Sequence, residues 1–248
     1  MNKDRATAER MISLHLAVQN AATFWSALAA ARGHETIRRP GFLSVDGRHH
    51  GMRILVLSPT PHPDEVAELT ELARHRHPGK VLVEDAFNVV DMRGLGLTAR
   101  KLPVMIRHPA PAPTTSTMVI TKVEQPEQLE IAERIVVQGF PVPDFQPYQP
   151  GQLFPRALME TPGISLFLVS RDGATAGACV TVVDGTVGGL YWVTTLPEHR
   201  SYGVGRALMH SVLNFLNDRP VTLTAAKPGK PLYDSLGFET ITEAAWWG

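Results

Sequence analysis

The chain has little cysteine, no net charge and no long apolar run, and each shortage excludes a class of protein. Its 248 residues include one cysteine, Cys179, so an internal disulfide framework cannot form. Basic and acidic residues balance at 24 each, which leaves no net field to attract nucleic acid or an anionic membrane. No run approaches the roughly 18 apolar residues that a membrane span needs. We therefore predict neither a nucleic-acid partner nor membrane insertion.

Signals for export and for metal binding are also missing. The first residues are charged and polar, without the apolar segment of a secretory signal, so we expect a cytoplasmic protein. The ten histidines form no zinc-binding pattern. His34 lacks the second histidine that a zincin helix requires, and His75 and His77 would diverge on a helix. We predict no metal site.

A glycine-containing turn between a strand and a helix is the most informative part of the sequence. Residues 187–195 form an apolar run typical of a strand, and residues 204–216 have the apolar spacing of an amphipathic helix. Between them, Gly203 and Gly205 allow a close backbone approach, and the free N–H groups of the first helical turn suit an anion. The pattern is neither a dinucleotide fingerprint nor a Walker loop. A tight turn that merely needs glycine is the alternative interpretation.

Two motifs carry a resemblance to a known family. Residues 196–208, LPEHRSYGVGRAL, resemble the pyrophosphate loop of the GNAT superfamily of acyl-CoA-dependent N-acyltransferases, with its pattern Arg/Gln-x-x-Gly-x-Gly/Ala. Residues 231–238, PLYDSLGF, are similar to the family's second signature, Tyr-x-x-x-Gly-Phe. The order and the intervening strand also match. The resemblance implies an α/β fold with a mixed α+β sheet over residues 117–248.

The resemblance also implies roles for particular residues. The turn would hold acetyl-CoA, the acyl donor, chiefly through backbone N–H groups. The strand before the turn would pair with the pantetheine arm and polarise the thioester carbonyl. Tyr233 would be the general acid that protonates the departing thiolate, the alternative being a packed aromatic on a short helix. The residues assigned to the cofactor are Val193, Thr194, Thr195, Arg200, Ser201, Tyr202, Gly203, Val204, Gly205 and Arg206.

The sequence departs from the family pattern at two places. Many relatives carry a glutamate on or beside the central strand, but residues 187–195 hold no carboxylate. The nearest candidates for a general base are Asp184, Glu198 and His199, and the alternative is an amine taken neutral from solution or deprotonated through water. Ala226 stands where many relatives have an asparagine that contacts the cofactor. This departure puts the affinity for the cofactor in question, and not the activity.

The proline-rich stretch 109–116 predicts a linker between two domains. Residues 117–248 would form the GNAT domain, and residues 1–108 a smaller α/β domain. We interpret the latter as a degenerate GNAT-like copy; an unrelated accessory domain is the alternative. Its counterpart of the phosphate turn, residues 60–64, has two prolines and no glycine, so we assign it no acyl-CoA. The elements predicted there are a helix over 6–32, strands over 38–45 and 53–58, a helix over 64–75 capped by Asp64, a strand over 81–85, a helix over 86–93 and a strand over 102–107.

These observations lead to a functional hypothesis. The chain is predicted to transfer an acetyl group from acetyl-CoA to a primary amine of a small molecule, directly in a ternary complex. A non-catalytic acyl-CoA-binding or regulatory module and a protein amine acetyltransferase are the alternatives. Phe145, Tyr148 and Phe154 either line the acceptor pocket or pin a loop. Trp246 and Trp247 either cover an apolar edge or form an oligomer contact, so a homodimer is an open expectation.

Overall fold

The computed structural model describes residues 2–76, 79–111, 118–140, 142–216 and 218–248. The chain divides into two compact units: a first unit of residues 1–106 with 223–248, and a second unit of residues 107–222. The described residues contain five α-helices and eleven strands: α1 Asn2–Arg32, β1 Glu35–Arg38, β2 Phe42–Asp46, β3 Met52–Val56, α2 Pro63–Arg74, β4 Val81–Asp85, β5 Ala99–Arg107, β6 Val119–Lys122, α3 Pro126–Gly139, β7 Ile164–Arg171, β8 Ala174–Asp184, β9 Val187–Thr195, α4 Val204–Phe215, β10 Val221–Thr224, α5 Lys230–Ser235 and β11 Glu239–Trp247.

The sheet of the first unit has the strand order β1-β2-β3-β4-β11-β5. Strands β1 to β3 form an antiparallel meander, and β4 is parallel to β3 with α2 as the crossover. Strand β11 lies antiparallel between β4 and β5. Helix α1 packs on this sheet through a buried stripe that includes Leu14, Val18 and Leu28, as its spacing predicts.

The sheet of the second unit has the order β10-β9-β8-β7-β6, with the first two residues of β10 in this unit. Strands β6 to β9 are antiparallel, and β10 is parallel to β9 with α4 as the crossover. Helix α3 packs against β8 and β9, and α4 packs against β7 and β8. The second unit therefore has the same order of antiparallel strands, turn, helix and parallel strand as the first. This mixed α/β architecture is the fold class that the sequence predicts.

The compact units group the last strand differently from the predicted domains. Residues 223–248 pack with the N-terminal residues because β11 pairs with β4 and β5. Trp247 is buried in one hydrophobic cluster of the first unit, with Phe42 and Ile54, and Trp246 packs against another, with Leu14 and Val18. Both tryptophans therefore lie on a strand inside the sheet of the first unit, and their side chains pack within that unit. Residues 112–116 of the predicted linker lie outside the described residues.

The helix predicted over residues 86–93 is wrong, because the backbone turns left-handed at Asn88 and the Asp85 side chain holds the segment as a loop. The buried Asp85 carboxylate accepts the N–H groups of Phe87, Val89 and Val90 at 3.1, 2.6 and 2.8 Å. Asn88 has φ +59, which breaks the helical path. Burial raises the pKa of Asp85 against the opposing effect of these donors.

Two smaller predictions in the first unit also need correction. The N-cap of α2 is His62, whose Nδ1 accepts the Asp64 N–H at 3.3 Å, and not Asp64 itself. Pro63 occupies the first helical position, where its missing N–H costs nothing, and this moves the cap one residue before the proline. The strand predicted over 38–45 is two strands, β1 and β2, because the chain turns at Arg39–Gly41 and pairs Arg39 N–H with the Phe42 carbonyl.

Candidate functional site

A β-bulge interrupts β9 just before the glycine-containing turn. The pairing of β8 with β9 shifts between Val180 opposite Tyr191 and Ala178 opposite Thr194. Trp192 and Val193 therefore share one position on β8, and Trp192 has the left-handed φ of +47. The extra residue of a bulge interrupts the regular ladder and changes the direction of the main-chain groups at Trp192 and Val193. A left-handed tryptophan is also a strained conformation of the kind that is enriched at functional sites.

The turn that follows exposes the N-terminus of α4. Gly203, with φ +80, is the N-cap of this helix, and Ser201 is also left-handed with φ +64. The first intrahelical bond joins Ala207 N–H to the Gly203 carbonyl at 2.9 Å. The N–H groups of the three helical residues before Ala207 therefore have no acceptor inside the helix. They point out of the positive end of the helix dipole, an arrangement that suits a phosphate.

The Arg200 side chain fixes this turn to the rest of the second unit. Its Nε donates to the Thr195 carbonyl at 3.1 Å, and its Nη2 donates to the Gly139 carbonyl at 3.0 Å. A β-carbon on Gly139 would lie 2.5 Å from Cγ2 of Thr194, so the end of α3 is in close contact with the end of β9. The guanidinium is therefore used inside the protein, which leaves the backbone of the turn to face a ligand.

The other predicted cofactor residues differ in what they can offer. The side chains of Thr194 and Val204 are buried, and the Thr194 hydroxyl donates to the Trp192 carbonyl at 2.9 Å, so these two residues can contribute only main-chain groups. The ring of Tyr202 is 57% exposed, and the guanidinium carbon of Arg171 lies 3.7 Å from its centroid. Ser201, Gly203 and Arg206 are exposed, whereas Val193, Thr195 and Gly205 are half-buried.

Tyr233 lies on α5 in the first unit, and its ring is held by local packing. It is 8% exposed and meets Phe238 edge-on with a centroid distance of 5.7 Å. Gly237, with φ +80, turns the chain back so that Phe238 N–H donates to the Tyr233 carbonyl at 3.1 Å. This is the helix ending that the sequence predicts. The role of Tyr233 as an acid stays a prediction.

The three candidate bases occupy different surroundings. Asp184 pairs with Val187, five residues before the bulge, which is about 17 Å along a strand. Asp184 is therefore too far away to act at a thioester bound there. Glu198 is exposed in the short turn Pro197–His199. His199 lies in the same turn, and its Nδ1 is buried without a hydrogen-bond partner in the described structure.

A buried carboxylate on α3 is a feature that the sequence reasoning missed. Glu133 is 1% exposed, and its Oε1 accepts the N–H groups of Leu153 and Phe154 at 2.7 and 3.0 Å. Its Oε2 accepts the Gly151 N–H at 2.7 Å and lies 3.2 Å from the Tyr148 hydroxyl. The signal was available, because residue 133 falls four positions after Leu129 on the buried face of the helix.

The aromatic loop after α3 is pinned to the unit, which supports one of the two interpretations of its side chains. Phe145 and Phe154 are buried, and Phe154 contacts Trp192 with a centroid distance of 5.2 Å and an angle of 54°. The Tyr148 hydroxyl also lies 3.2 Å from the Glu130 carbonyl. Burial, followed by the neighbouring Glu133 carboxylate, raises the pKa of Tyr148 to about 12.

The first unit fills the corresponding helix end with its own side chain. At the N-terminus of α2, the Glu65 carboxylate accepts the Gly41 N–H at 2.9 Å and the His62 N–H at 3.0 Å. These bonds lower the pKa of Glu65. The Glu65 and His62 side chains thus cap this helix end, and the assignment of no acyl-CoA to residues 60–64 stays a prediction.

The described residues contain no group of three or more His, Cys, Asp and Glu side chains placed to hold a metal ion. Among the helices that the structure describes, none has both the length and the apolar character to cross a membrane.

Comparison with known proteins matches part of the chain to a family and the fold to solved structures. The family model of the acetyltransferase (GNAT) domain matches residues 162–240, which include the bulge, the glycine turn and Tyr233. No curated protein matches the sequence. The fold is nevertheless shared with many solved structures. Residues 162–240 therefore match the GNAT acetyltransferase domain, and the chain shares its fold with GNAT N-acetyltransferases of known structure.

Three solved structures illustrate the likeness, which at these identities concerns the fold alone. A GCN5-related N-acetyltransferase from Kribbella flavida is 18% identical with a TM-score of 0.64, and the match covers 94% of this chain and 95% of that protein. One from Sphaerobacter thermophilus is also 18% identical, with a TM-score of 0.55 and coverages of 84% and 76%. A tandem GNAT protein from the clavulanic acid biosynthesis pathway is 16% identical, with a TM-score of 0.54 and coverages of 83% and 77%.

Proposed function

We propose that the chain transfers the acetyl group of acetyl-CoA to a primary amine of a small molecule, directly in a ternary complex. The observation that carries the proposal is the bulge at Trp192 and Val193 near the end of β9. A single loop connects it to α4, whose N-cap is Gly203. The helix end would hold the pyrophosphate, and a main-chain N–H at the bulge would polarise the thioester carbonyl. Both groups come from the backbone, as the family resemblance implies.

Direct transfer, without an acyl-enzyme, is favoured by the state of the one cysteine. Cys179 is fully buried, and burial raises the pKa of its thiol far above the ordinary value. A thiol in this position is neither ionised nor accessible, so it cannot accept the acetyl group. The amine would therefore attack the thioester itself. We propose that Tyr233 donates the proton that the departing CoA thiolate needs.

The positions of two carboxylates bear on how the amine becomes neutral. Asp184 is distant from the bulge, and both oxygens of Glu133 already accept hydrogen bonds. We propose that the amine loses its proton to water, or arrives neutral, before it attacks. The rate should then rise with pH up to the pKa of the free amine.

The first test is calorimetric titration of acetyl-CoA and CoA into the protein and into Gly203→Glu. A carboxylate about 5 Å from the pyrophosphate opposes it by about 3 kcal/mol, so affinity should fall by about 100-fold or more. Gly203→Ala is the matched control, because it has the same positive φ and open space around its β-carbon but adds no charge. Gly96→Glu, at φ +75 in the first unit, adds the same charge in a similar conformation and should leave binding unchanged.

The outcomes separate the proposal from its alternatives. Absence of acetyl-CoA binding by the unaltered protein would refute the proposal. Binding without acetylation of any amine in a broad screen would instead favour a non-catalytic acyl-CoA-binding module. With an active amine in hand, Tyr233→Phe should lower kcat more than it raises the Kd for acetyl-CoA. Intersecting initial-rate lines would support the ternary complex, and parallel lines would contradict it.

A further inference from the structure

The Glu133 carboxylate connects a buried helix to the bulge through a short series of contacts. Its four acceptor positions receive three backbone N–H groups and face one hydroxyl, all from the loop between residues 148 and 154. An ionised carboxylate only accepts hydrogen bonds, so it matches this set of donors, and a carboxamide of the same shape does not. The geometry also leaves no lone pair directed at a substrate. Glu133 therefore organises the loop and does not act on the acceptor.

The last of these donors leads to the bulge. Phe154 N–H donates to Glu133 Oε1, and the Phe154 ring packs against Trp192. Phe154 is 1% exposed, so its ring is enclosed by the protein. Trp192 is the residue with the strained left-handed backbone, and Val193 follows it. Strained conformations persist only where their surroundings hold them, and this aromatic contact is such a restraint.

We propose that Glu133 is a positioning residue for acetyl transfer: by fixing the loop and Phe154, it holds Trp192 and so keeps the bulge N–H aimed at the thioester carbonyl. This inference rests on the proposed function for its chemical consequence. It concerns the carbonyl and not the pyrophosphate, because Arg200 anchors the Gly203 turn to the Thr195 and Gly139 carbonyls and not to the loop of residues 148–154. Loss of the Glu133 carboxylate should therefore affect turnover more than acetyl-CoA binding.

The test is amide hydrogen exchange of the free protein, followed by mass spectrometry of peptides from residues 148–154 and 187–195. In Glu133→Gln, exchange should accelerate in both segments, by about tenfold or more at the bulge. Glu130→Gln is the matched control, since it removes an exposed carboxylate three residues earlier on the same helix, and it should change neither segment. Faster exchange confined to residues 148–154 would overturn the proposal, because Glu133 would then hold only its own loop.

A second variant reaches the bulge without touching the carboxylate. Phe154→Leu keeps the backbone donor and removes the ring from Trp192, so exchange should accelerate in residues 187–195 while residues 148–153 stay protected. If Glu133→Gln fails to fold, this variant still tests whether the contact between Phe154 and Trp192 holds the bulge. Unchanged exchange at the bulge in Phe154→Leu would show that the Phe154 ring does not restrain Trp192, and it would overturn the proposal.

Two further measurements separate this inference from the proposed function. Calorimetry of Glu133→Gln with acetyl-CoA should give a Kd within about threefold of the unaltered protein. With an amine identified by screening, kcat should fall by about tenfold or more, the scale expected for a misplaced reacting group. Equal losses in affinity and turnover would indicate general damage and contradict a positioning role. If the unaltered protein does not bind acetyl-CoA, the proposed function fails, and the exchange data alone still decide whether Glu133 holds the bulge.

Discussion

The contact between Gly139 and Thr194 offers a sharp test of how α3 supports the end of β9. A β-carbon on Gly139 would lie 2.5 Å from Thr194 Cγ2 and 3.5 Å from the Thr195 carbonyl oxygen. Thr194 cannot simply rotate away, because it is 3% exposed and its hydroxyl is bonded to the Trp192 carbonyl. In Gly139→Ala, either the end of the helix or the end of the strand must shift.

The magnitude follows from overpacking. Inserting a methyl group into a close-packed contact costs about 1–3 kcal/mol, and the better helix propensity of alanine offsets at most about 1 kcal/mol of this. We expect a net loss of about 1–2 kcal/mol in the free energy of unfolding, or about 2–8 °C in Tm. Urea denaturation and thermal melting measure these quantities. Acetyl-CoA affinity should fall as well, because Gly139 and Thr195 also accept the two Arg200 bonds.

A double variant identifies the cause. Thr194→Ser removes the methyl group that the new β-carbon would meet and keeps the hydroxyl donor. Alone it should cost about 1 kcal/mol for the lost methyl. In the Thr194→Ser background, Gly139→Ala should cost almost nothing more, so the two changes should couple by about 1–2 kcal/mol. Additive losses would refute the reasoning, since the methyl group would then not be the obstacle.

Three further predictions concern reactivity, pH and backbone strain. Because Cys179 is buried with a raised pKa, a thiol reagent should leave it unmodified in the folded protein and label it fully in denaturant; rapid labelling of the native protein would contradict its burial. Burial, followed by Arg32, lowers the pKa of His34 below 6.5, so the stability linked to neutral His34 is present above pH 6.5 and lost as the pH falls. The urea midpoint should therefore drop less between pH 7.5 and 5.5 in His34→Gln than in the unaltered protein, and equal drops would exclude this linkage. Gly163→Ala should destabilise the protein much more than Gly151→Ala in thermal melts, because both have φ +80 but only at Gly163 would the β-carbon meet a carbonyl oxygen, at 2.4 Å; similar losses would show that φ strain alone decides.

Local patterns were sufficient to predict most of the second unit and the glycine turn. The strand before the turn is Val187–Thr195, and the helix after it begins at Val204, as the apolar spacing predicts. The ending of α5 at Gly237 was equally predictable, because a left-handed glycine followed by an apolar residue is a local signal. These features depend on residues close together in the chain, and so the sequence reveals them.

What the sequence could not show depends on contacts between distant residues. The bulge in β9 exists only through its register with β8, and nothing in residues 187–195 marks Trp192 as left-handed. The position of β11 between β4 and β5 joins residues more than 130 positions apart, so the grouping of residues 223–248 with the N-terminal residues had no local signal. The loop after β4 was predicted to be a helix because the sequence does not show that the Asp85 carboxylate accepts the backbone N–H groups of Phe87, Val89 and Val90.

The two units use the same order of strand, turn, helix and parallel strand, and they differ in how the helix end is satisfied. At α4, Gly203 leaves the first N–H groups of the helix facing outward, with no carboxylate among the residues of the first turn. At α2, Pro63 removes one donor and the Glu65 carboxylate takes the N–H of His62. Removing Glu65 would free that donor but could not restore those that the prolines of residues 60–64 lack. The capacity to hold an anion therefore depends on the few residues of the turn and not on the architecture that the two units share.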